Sequence, residues 1–250
     1  WLSLYGNKGT NSLAATCDSI NDVQMLTDGS YAAVGAFDGN GITDMEGQKG
    51  KTDAAFMLYD ENGVMQKQTL VGGTKADYFY KFIEGSNGGF IAVGAGQSED
   101  GDMEGILKGG YDGLICKFDN EGNLEKSVTV GGSSKDELRD IIETYDGGYV
   151  AVGYTQSNDG DLTNTGKKAT DRDALIVKLD YDLNIQWIKT YGITGTATTG
   201  LDDFYSVQVC LDGSYITAGG LGAKDGAASK EKDICLVKYS EEGELLWEKT

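Results

Sequence analysis

The stretch from Asp136 to Asp161 reads DELRDIIETYDGGYVAVGYTQSNDGD, and Asp173 to Gly192 reads DALIVKLDYDLNIQWIKTYG. Between them they hold four short apolar runs separated by turn residues. The same order of runs and turns appears four times in the 250 residues. The turns align first, as Asp28-Gly29-Ser30-Tyr31, Asn87-Gly88-Gly89-Phe90, Asp146-Gly147-Gly148-Tyr149 and Asp212-Gly213-Ser214-Tyr215, with their aromatic residues 59, 59 and 66 positions apart. Asp-Gly or Asn-Gly between two apolar runs is a strong hairpin signal, because these residues tolerate positive φ. Each turn leads into a small apolar run that reaches a glycine at Gly35, Gly94, Gly153 or Gly219.

A second landmark repeats with it. Asp53, Asp112, Asp173 and Asp233 each precede an apolar run, at spacings of 59, 61 and 60, and a second turn then leads to a fourth run. Each unit is therefore expected to be strand A, tight turn, strand B, long Gly/Asp loop, strand C, tight turn, strand D. Strands B and C are apolar at consecutive positions, which implies burial on both faces. Antiparallel four-stranded units of this length, buried on both faces, describe propeller blades. The expected fold is all-β, a β-propeller of four-stranded antiparallel blades. It has four full repeats, near 6–71, 72–130, 131–191 and 192–250, plus one extra outer strand at 1–5. One local signal disagrees: Leu138, Ile141 and Ile142 fall at helical spacing among good helix formers. The aromatic and β-branched counterparts DYFYKFIE from Asp77 and DDFYSVQVC from Asp202 favour strand, and equivalent positions of a repeat should share a structure. Because Trp1–Tyr5 matches strand D and its sibling strands are absent, the chain reads as a piece of a longer propeller. It starts without an initiator Met or signal peptide, as an excised or processed segment would.

Composition narrows the function classes. With 21 Lys+Arg against 40 Asp+Glu the formal charge is −19, which repels nucleic-acid phosphates and anionic membranes. No apolar run approaches membrane-span length, so neither nucleic acid nor membrane insertion is expected. There is no His and no Cys-x-x-Cys among Cys17, Cys116, Cys210 and Cys235, which removes zinc-finger spacing and any triad built on imidazole. Cys210 and Cys235 would be separated by an intervening strand, beyond disulfide reach, so buried free thiols are expected.

The pattern W-x3-YG, DGGY-x-AVG, S-x-DGD and D-x4-KLD-x2-G resembles the β-propeller repeats of secreted bacterial proteins, the SBBP-type and related repeats. The resemblance covers essentially the whole chain and is strongest in the third repeat. It implies a bacterial extracellular or cell-surface propeller, a non-catalytic part of a larger surface protein. Lys67 and Lys126 stand where Trp187 and Trp247 stand in the other units, and the first and fourth B–C loops lack S-x-DGD.

Aspartates that recur in every unit (Asp18, Asp77, Asp136 and Asp202, with Asp53, Asp112, Asp173 and Asp233) are read as architecture, accepting backbone N–H bonds. The B–C loops carry clustered oxygens: Asp38, Asn40, Asp44 and Glu46 in the first, Ser98, Glu99, Asp100, Asp102 and Glu104 in the second, Ser157, Asn158, Asp159, Asp161 and later Asp171 in the third. No cofactor is required by the pattern. Ca²⁺ is the hard cation such oxygens would take, with Asp100, Asp102, Asp159 and Asp161 as its ligands, although the EF-type order is not met and solvated Asp-Gly turns are the simpler account. The long B–C and D–A connections, Asn7–Thr16 and Ile193–Gly200 among the latter, would emerge on one face, where binding sites are usually built. Tyr78, Tyr80, Tyr111, Tyr154 and Tyr205 lie in or beside those loops. Tyr78, Tyr111, Tyr154 and Tyr205 are the candidate ligand-binding residues, with a glycan or a protein at a cell surface as partner. A glycoside-cleaving enzyme with paired carboxylates and a structural spacer are the alternatives. No sialidase-type Asp box is present, no carboxylate pair stands out from the repeat, and a non-enzymatic module is expected.

Overall fold

The computed structural model describes residues 18–38, 47–167, 172–192, 202–222 and 232–250. The expected outer strand at Trp1–Tyr5, Cys17, the loop residues Asn40, Asp44, Glu46 and Asp171, and the connections 7–16 and 193–200 lie outside them. The described residues form sixteen antiparallel strands in four four-stranded sheets, each in simple meander order. The first sheet holds β1 (Ser19–Met25), β2 (Tyr31–Asp38), β3 (Thr52–Tyr59) and β4 (Met65–Val71). The second holds β5 (Asp77–Glu84), β6 (Phe90–Gly96), β7 (Asp112–Phe118) and β8 (Leu124–Val130). The third holds β9 (Asp136–Glu143), β10 (Tyr149–Thr155), β11 (Asp173–Leu179) and β12 (Ile185–Tyr191), and the fourth β13 (Asp203–Val209), β14 (Tyr215–Gly222), β15 (Lys232–Tyr239) and β16 (Leu245–Lys249). Among the described residues helix is confined to two short 3-10 turns, Gly101–Met103 and Gly160–Leu162. The helical spacing around Leu138 is overridden, and β9 pairs along its length with β10.

The chain divides into two compact units, one of Trp1–Leu107 with Leu114–Thr129, the other of Lys108–Gly113 with Val130–Thr250. In the first, Ala54 and Phe56 of β3 pack with Leu114, Cys116 and Phe118 of β7 and with Phe79, Phe82 and Phe90. Phe56 is the centre of this core. Its ring stacks on Phe118 at 4.6 Å, tilts against Phe90 at 4.9 Å and meets Phe82 edge-on at 6.0 Å, geometries that suit the ring quadrupole. The second unit repeats the arrangement. Ala174 and Ile176 of β11 pack with Cys235, Val237 and Tyr239 of β15 and with Phe204 and Tyr215, and Trp187 lies 6.2 Å from Tyr215. Residues one and three after the β11 aspartate thus meet residues two, four and six after the β15 aspartate, and β3 and β7 follow the same offset. The corresponding outward positions of the fourth sheet, Ile234, Leu236 and Trp247, are exposed. Burial on both faces explains why the second and third strands read as unbroken apolar runs. A shared polar contact ties neighbouring first strands where no ladder joins them. The Asp22 carboxylate faces the Phe82 N–H, and that of Asp140 accepts the Val207 N–H at 2.9 Å.

Every first strand carries a bulge at one place. The register between first and second strand skips Asn21, Tyr80, Arg139 and Tyr205. The residues facing the bulges are Gly35, Gly94, Gly153 and Gly219. A Cβ on any of them would overlap the carbonyl oxygen of Ser19, Tyr78, Glu137 or Asp203. The repeating glycine is therefore required by a close backbone approach and not by its dihedral angles. Of the expected buried thiols, Cys116 and Cys235 are buried and outside any disulfide, whereas Cys210, just past the end of β13, is half-buried. Burial raises the Cys116 thiol to about 12, which keeps it protonated and inert.

Two glycines separate steric from dihedral cost. Gly147 has φ of +78° with nothing near a Cβ, so Gly147→Ala is expected to cost about 1–2 kcal/mol. Gly153→Ala must push β9 away from β10, and a loss of more than about 3 kcal/mol is expected. Urea unfolding of the two variants checks the order, and equal costs would remove the close-approach argument.

Candidate functional site

Two sets of residues surround the connections between sheets, and they do different things. The first set repeats. In the first unit Asp77 accepts the Gln97 and Ser98 N–H groups at 2.8 and 3.1 Å, the Gly73 N–H at 3.2 Å and the Ser98 hydroxyl at 2.6 Å. Ser98 Oγ in turn accepts the Lys75 N–H. Asp100 accepts the Thr74 N–H at 2.8 Å, Asp102 accepts the Gly72 N–H at 3.0 Å, and Lys49 is paired with Asp102. The second unit builds the same clamp. Asp136 accepts the Gly132 N–H and the Ser157 hydroxyl at 2.9 and 2.7 Å, Asp159 the Ser133 N–H at 2.8 Å and Asp161 the Gly131 N–H at 3.0 Å, with Lys108 3.0 Å from Asp161. The motif S-x-D-G-D is thus a fastener that grips three of the five residues linking the fourth strand of one sheet to the first strand of the next. Its glycine is left-handed, with φ +64° in Gly101 and +58° in Gly160, where the two aspartates on either side reach the same linker. Hydrogen bonds from Thr74 hold the Asp100 carboxyl below its ordinary range, and those from Ser133 do so for Asp159. Among the described residues no three Asp, Glu, His or Cys side chains are gathered as a metal ion would need.

Beside each clamp lies a buried carboxylate with one unpartnered oxygen. Asp53 and Asp112 accept the Lys49 and Lys108 N–H groups through Oδ2, and their Oδ1 atoms have no hydrogen-bond partner. Burial raises both acids, Asp112 to about 6, with the charges of Asp136 and Asp161 adding to it and the Lys108 N–H and charge opposing it.

The second set does not repeat, and it converges in the second unit around Tyr154. The Arg172 guanidinium lies 3.4 Å from the centroid of the Tyr154 ring, with Arg139 at 5.7 Å and Lys135 at 6.0 Å. Lys135 is also 5.3 Å from the Tyr111 ring. Beneath these cations are two buried carboxylates. Glu137 is held by Lys135 at 2.7 Å and Arg139 at 2.6 Å, and Asp203 is paired with Arg172 and accepts the Tyr205 hydroxyl at 2.9 Å. The Tyr154 hydroxyl bonds to Glu137; burial first, and then that carboxylate, push its pKa well above the ordinary phenol range. Backbone contacts fix the geometry, since the Tyr111 and Arg172 carbonyls accept the Asp136 and Asp202 N–H groups at 2.7 and 3.1 Å.

Three of the four sequence candidates, Tyr111, Tyr154 and Tyr205, therefore meet in one cluster. Tyr78 belongs to the first unit, where it holds the repeat position of Glu137 and stacks on Tyr80 at 6.3 Å. Glu137, Arg139, Arg172 and Asp203 went unnoticed in the sequence, although a signal existed. Arg139 and Arg172 are the only arginines in 250 residues. Each occupies a position where the sibling repeats vary: Asn21, Tyr80 and Tyr205 for the first, Thr52, Tyr111 and Lys232 for the second. Glu137 and Asp203 are carboxylates that depart from the repeat, since Ser19 and Tyr78 stand in their place elsewhere.

The raised acids set a pH dependence. A carboxyl with a raised folded pKa binds protons more tightly in the folded state, so stability falls as pH rises from about 4 through about 6. The unfolding free energy from urea titration is expected to be higher at pH 5 than at pH 7.5, by on the order of 1–2 kcal/mol. Asp112→Asn should flatten that limb and stabilise the protein at pH 7.5; an unchanged slope would show that Asp112 does not titrate there. No protein-family model matches the chain, and no curated protein matches it, so the functional reading rests on this geometry.

Proposed function

We propose that the four sheets are blades of a β-propeller and that the chain is a non-catalytic binding module of a bacterial secreted or cell-surface protein. The repeated offset by which one sheet seats on the next within each unit supports the propeller. A further blade would cover Ile234, Leu236 and Trp247 as the fourth sheet covers Ala174, Ile176 and Trp187. The binding reading is carried by one observation. Both arginines of the chain flank a single tyrosine, at positions that depart from the repeat, on a frame whose repeating residues are engaged in structure. Rigid frames with variable loop-side residues are where ligands are held. The ligand is a glycan or a protein recognised by the Tyr111–Tyr154–Tyr205 cluster.

Tyr205 gives the direct test, because it is half exposed and supports no core cluster. Glycan-array and pull-down screening should yield a ligand whose affinity drops about tenfold or more in Tyr205→Ala at unchanged melting temperature. Binding untouched by that change would move the site elsewhere, and turnover of the ligand would overturn the non-catalytic reading.

The Asp100, Asp102, Asp159 and Asp161 carboxylates act as polypeptide clamps in this reading, and Ca²⁺ is not needed to close them. Excess EDTA should leave the melting temperature unchanged; a drop would restore calcium to the B–C loops.

A further inference from the structure

In each unit two buried aspartates face the same spot beside a linker glycine. A Cβ on Gly131 would lie 2.5 Å from Asp112 Oδ1 and 2.6 Å from Asp136 Oδ2, and one on Gly72 would lie 2.5 Å from Asp77 Oδ2 and 2.9 Å from Asp53 Oδ1. All four aspartates are fully buried. The two members of each pair differ. Asp77 and Asp136 are met by neutral donors, the N–H groups of Gly73 and Gly132 and the hydroxyls of Ser98 and Ser157. Asp53 and Asp112 each accept one N–H through Oδ2, and the Oδ1 that faces the neighbouring carboxylate has no hydrogen-bond partner. The ammonium of each loop pairs with the clamp instead, Lys49 with Asp102 and Lys108 with Asp161.

Two carboxylates buried side by side are strongly unfavourable while both are charged. A proton on the oxygen that lacks a donor removes the repulsion and turns that oxygen into a donor itself. Asp136 Oδ2, facing the same spot, is the acceptor for it. The surroundings divide by sign. Burial weighs most against the Asp112 charge, Asp136 of β9 and Asp161 of the 3-10 turn add to it, and Lys108 in the loop before β7 opposes them. In the first unit Asp77, Asp102 and Lys49 take the same parts around Asp53. Loop and linker also touch directly, since the Asp136 N–H meets the Tyr111 carbonyl at 2.7 Å and the Gly110 N–H meets that of Ser134 at 3.2 Å.

We propose that each pair is a proton-operated latch, in which a proton taken from water onto Asp112 Oδ1 is donated toward Asp136 Oδ2 and holds the loop 108–113 against the linker 131–135, as Asp53 and Asp77 do for 49–53 and 72–76. Loss of the proton leaves two facing charges where the dielectric is low. Loop and linker then part before the strand ladders open, as a local event and not as unfolding of the whole sheet. The sign follows from Asp112, whose acid is raised to about 6. Its contribution is complete below the ordinary acid value of about 4 and is lost as pH rises through about 6. The pH response is thereby placed in two connections of the fold, each closed in mild acid and loosened at neutral pH.

The test is amide hydrogen exchange of the 250-residue chain at pH 5 and pH 7.5, corrected for the intrinsic rate at each pH. The Gly110 and Asp136 amides, which join loop to linker, should be less protected than the β10–β11 ladder, and their protection should fall about tenfold between the two pH values. In Asp112→Asn the side-chain amide donates toward Asp136 at every pH, so protection should stay high at both. The infrared difference between wild type and Asp112→Asn at pH 5 should contain a protonated-carboxyl band that is absent from the same difference at pH 7.5. Should Asp112→Asn fail to fold, Asp53→Asn reads the same response through the Thr52 amide of the first unit. Equal protection at both pH values overturns the latch, as does a fall undiminished in the variant. Protection equal to that of the ladder would put the response in the whole fold and overturn the local opening, and a missing carboxyl band at pH 5 overturns the proton.

Discussion

Everything in these sheets depends on how closely the second strand approaches the first. At Gly35, Gly94, Gly153 and Gly219 the approach leaves no room for a side chain, and the carbonyl of the first strand takes the space a Cβ would fill. That contact and the adjoining bulge go together. The bulge adds one residue to the first strand, bends it and releases one side chain from the pleat's alternation. The released residues are Asn21, Tyr80, Arg139 and Tyr205, and two of the four are in the cluster around Tyr154. A backbone device that repeats because of packing therefore also decides which side chains leave the alternation of the pleat.

The connections between sheets are governed by carboxylates rather than by apolar packing. Long polar loops would ordinarily be the loosest part of such a fold. In this chain the S-x-D-G-D segments close two of them, using Asp100, Asp102, Asp159 and Asp161 as acceptors for backbone N–H groups that lie off the strand ladders. Concentrating acids at the junctions raises the electrostatic cost of the folded state near neutral pH. Asp53 and Asp112, each with one oxygen unpaired, bear that cost.

Much of the frame was legible in the sequence, because turn chemistry and two-sided burial leave strong marks. Asp-Gly and Asn-Gly turns set the hairpins, and consecutive apolar residues announced strands covered on both faces. Comparison between repeats corrected the one misleading local signal, the helical spacing of Leu138, Ile141 and Ile142. The site was less legible. The acidic loops attracted attention because clustered oxygens resemble a cation site, yet hydrogen bonds to backbone N–H groups distant in sequence leave no pattern of their own. Glu137 and Asp203 were obscured for a related reason: they are the second residue of β9 and the first of β13, among residues that read as pairing, and only the bulge two residues on reveals which side chains converge. The two arginines were visible throughout. Their meaning lay in being absent everywhere else.

The separation between fastening and contacting residues has an evolutionary consequence. Duplication of such a unit copies the glycine, the turn and the clamp together, so a new copy arrives already foldable. The residues beside the bulge and ahead of the third strand carry little of that burden and are free to drift. The surroundings of Tyr154 can then change by a handful of substitutions in one copy while its siblings hold the fold, and the pair Arg139 and Arg172 reads as the imprint of one such divergence.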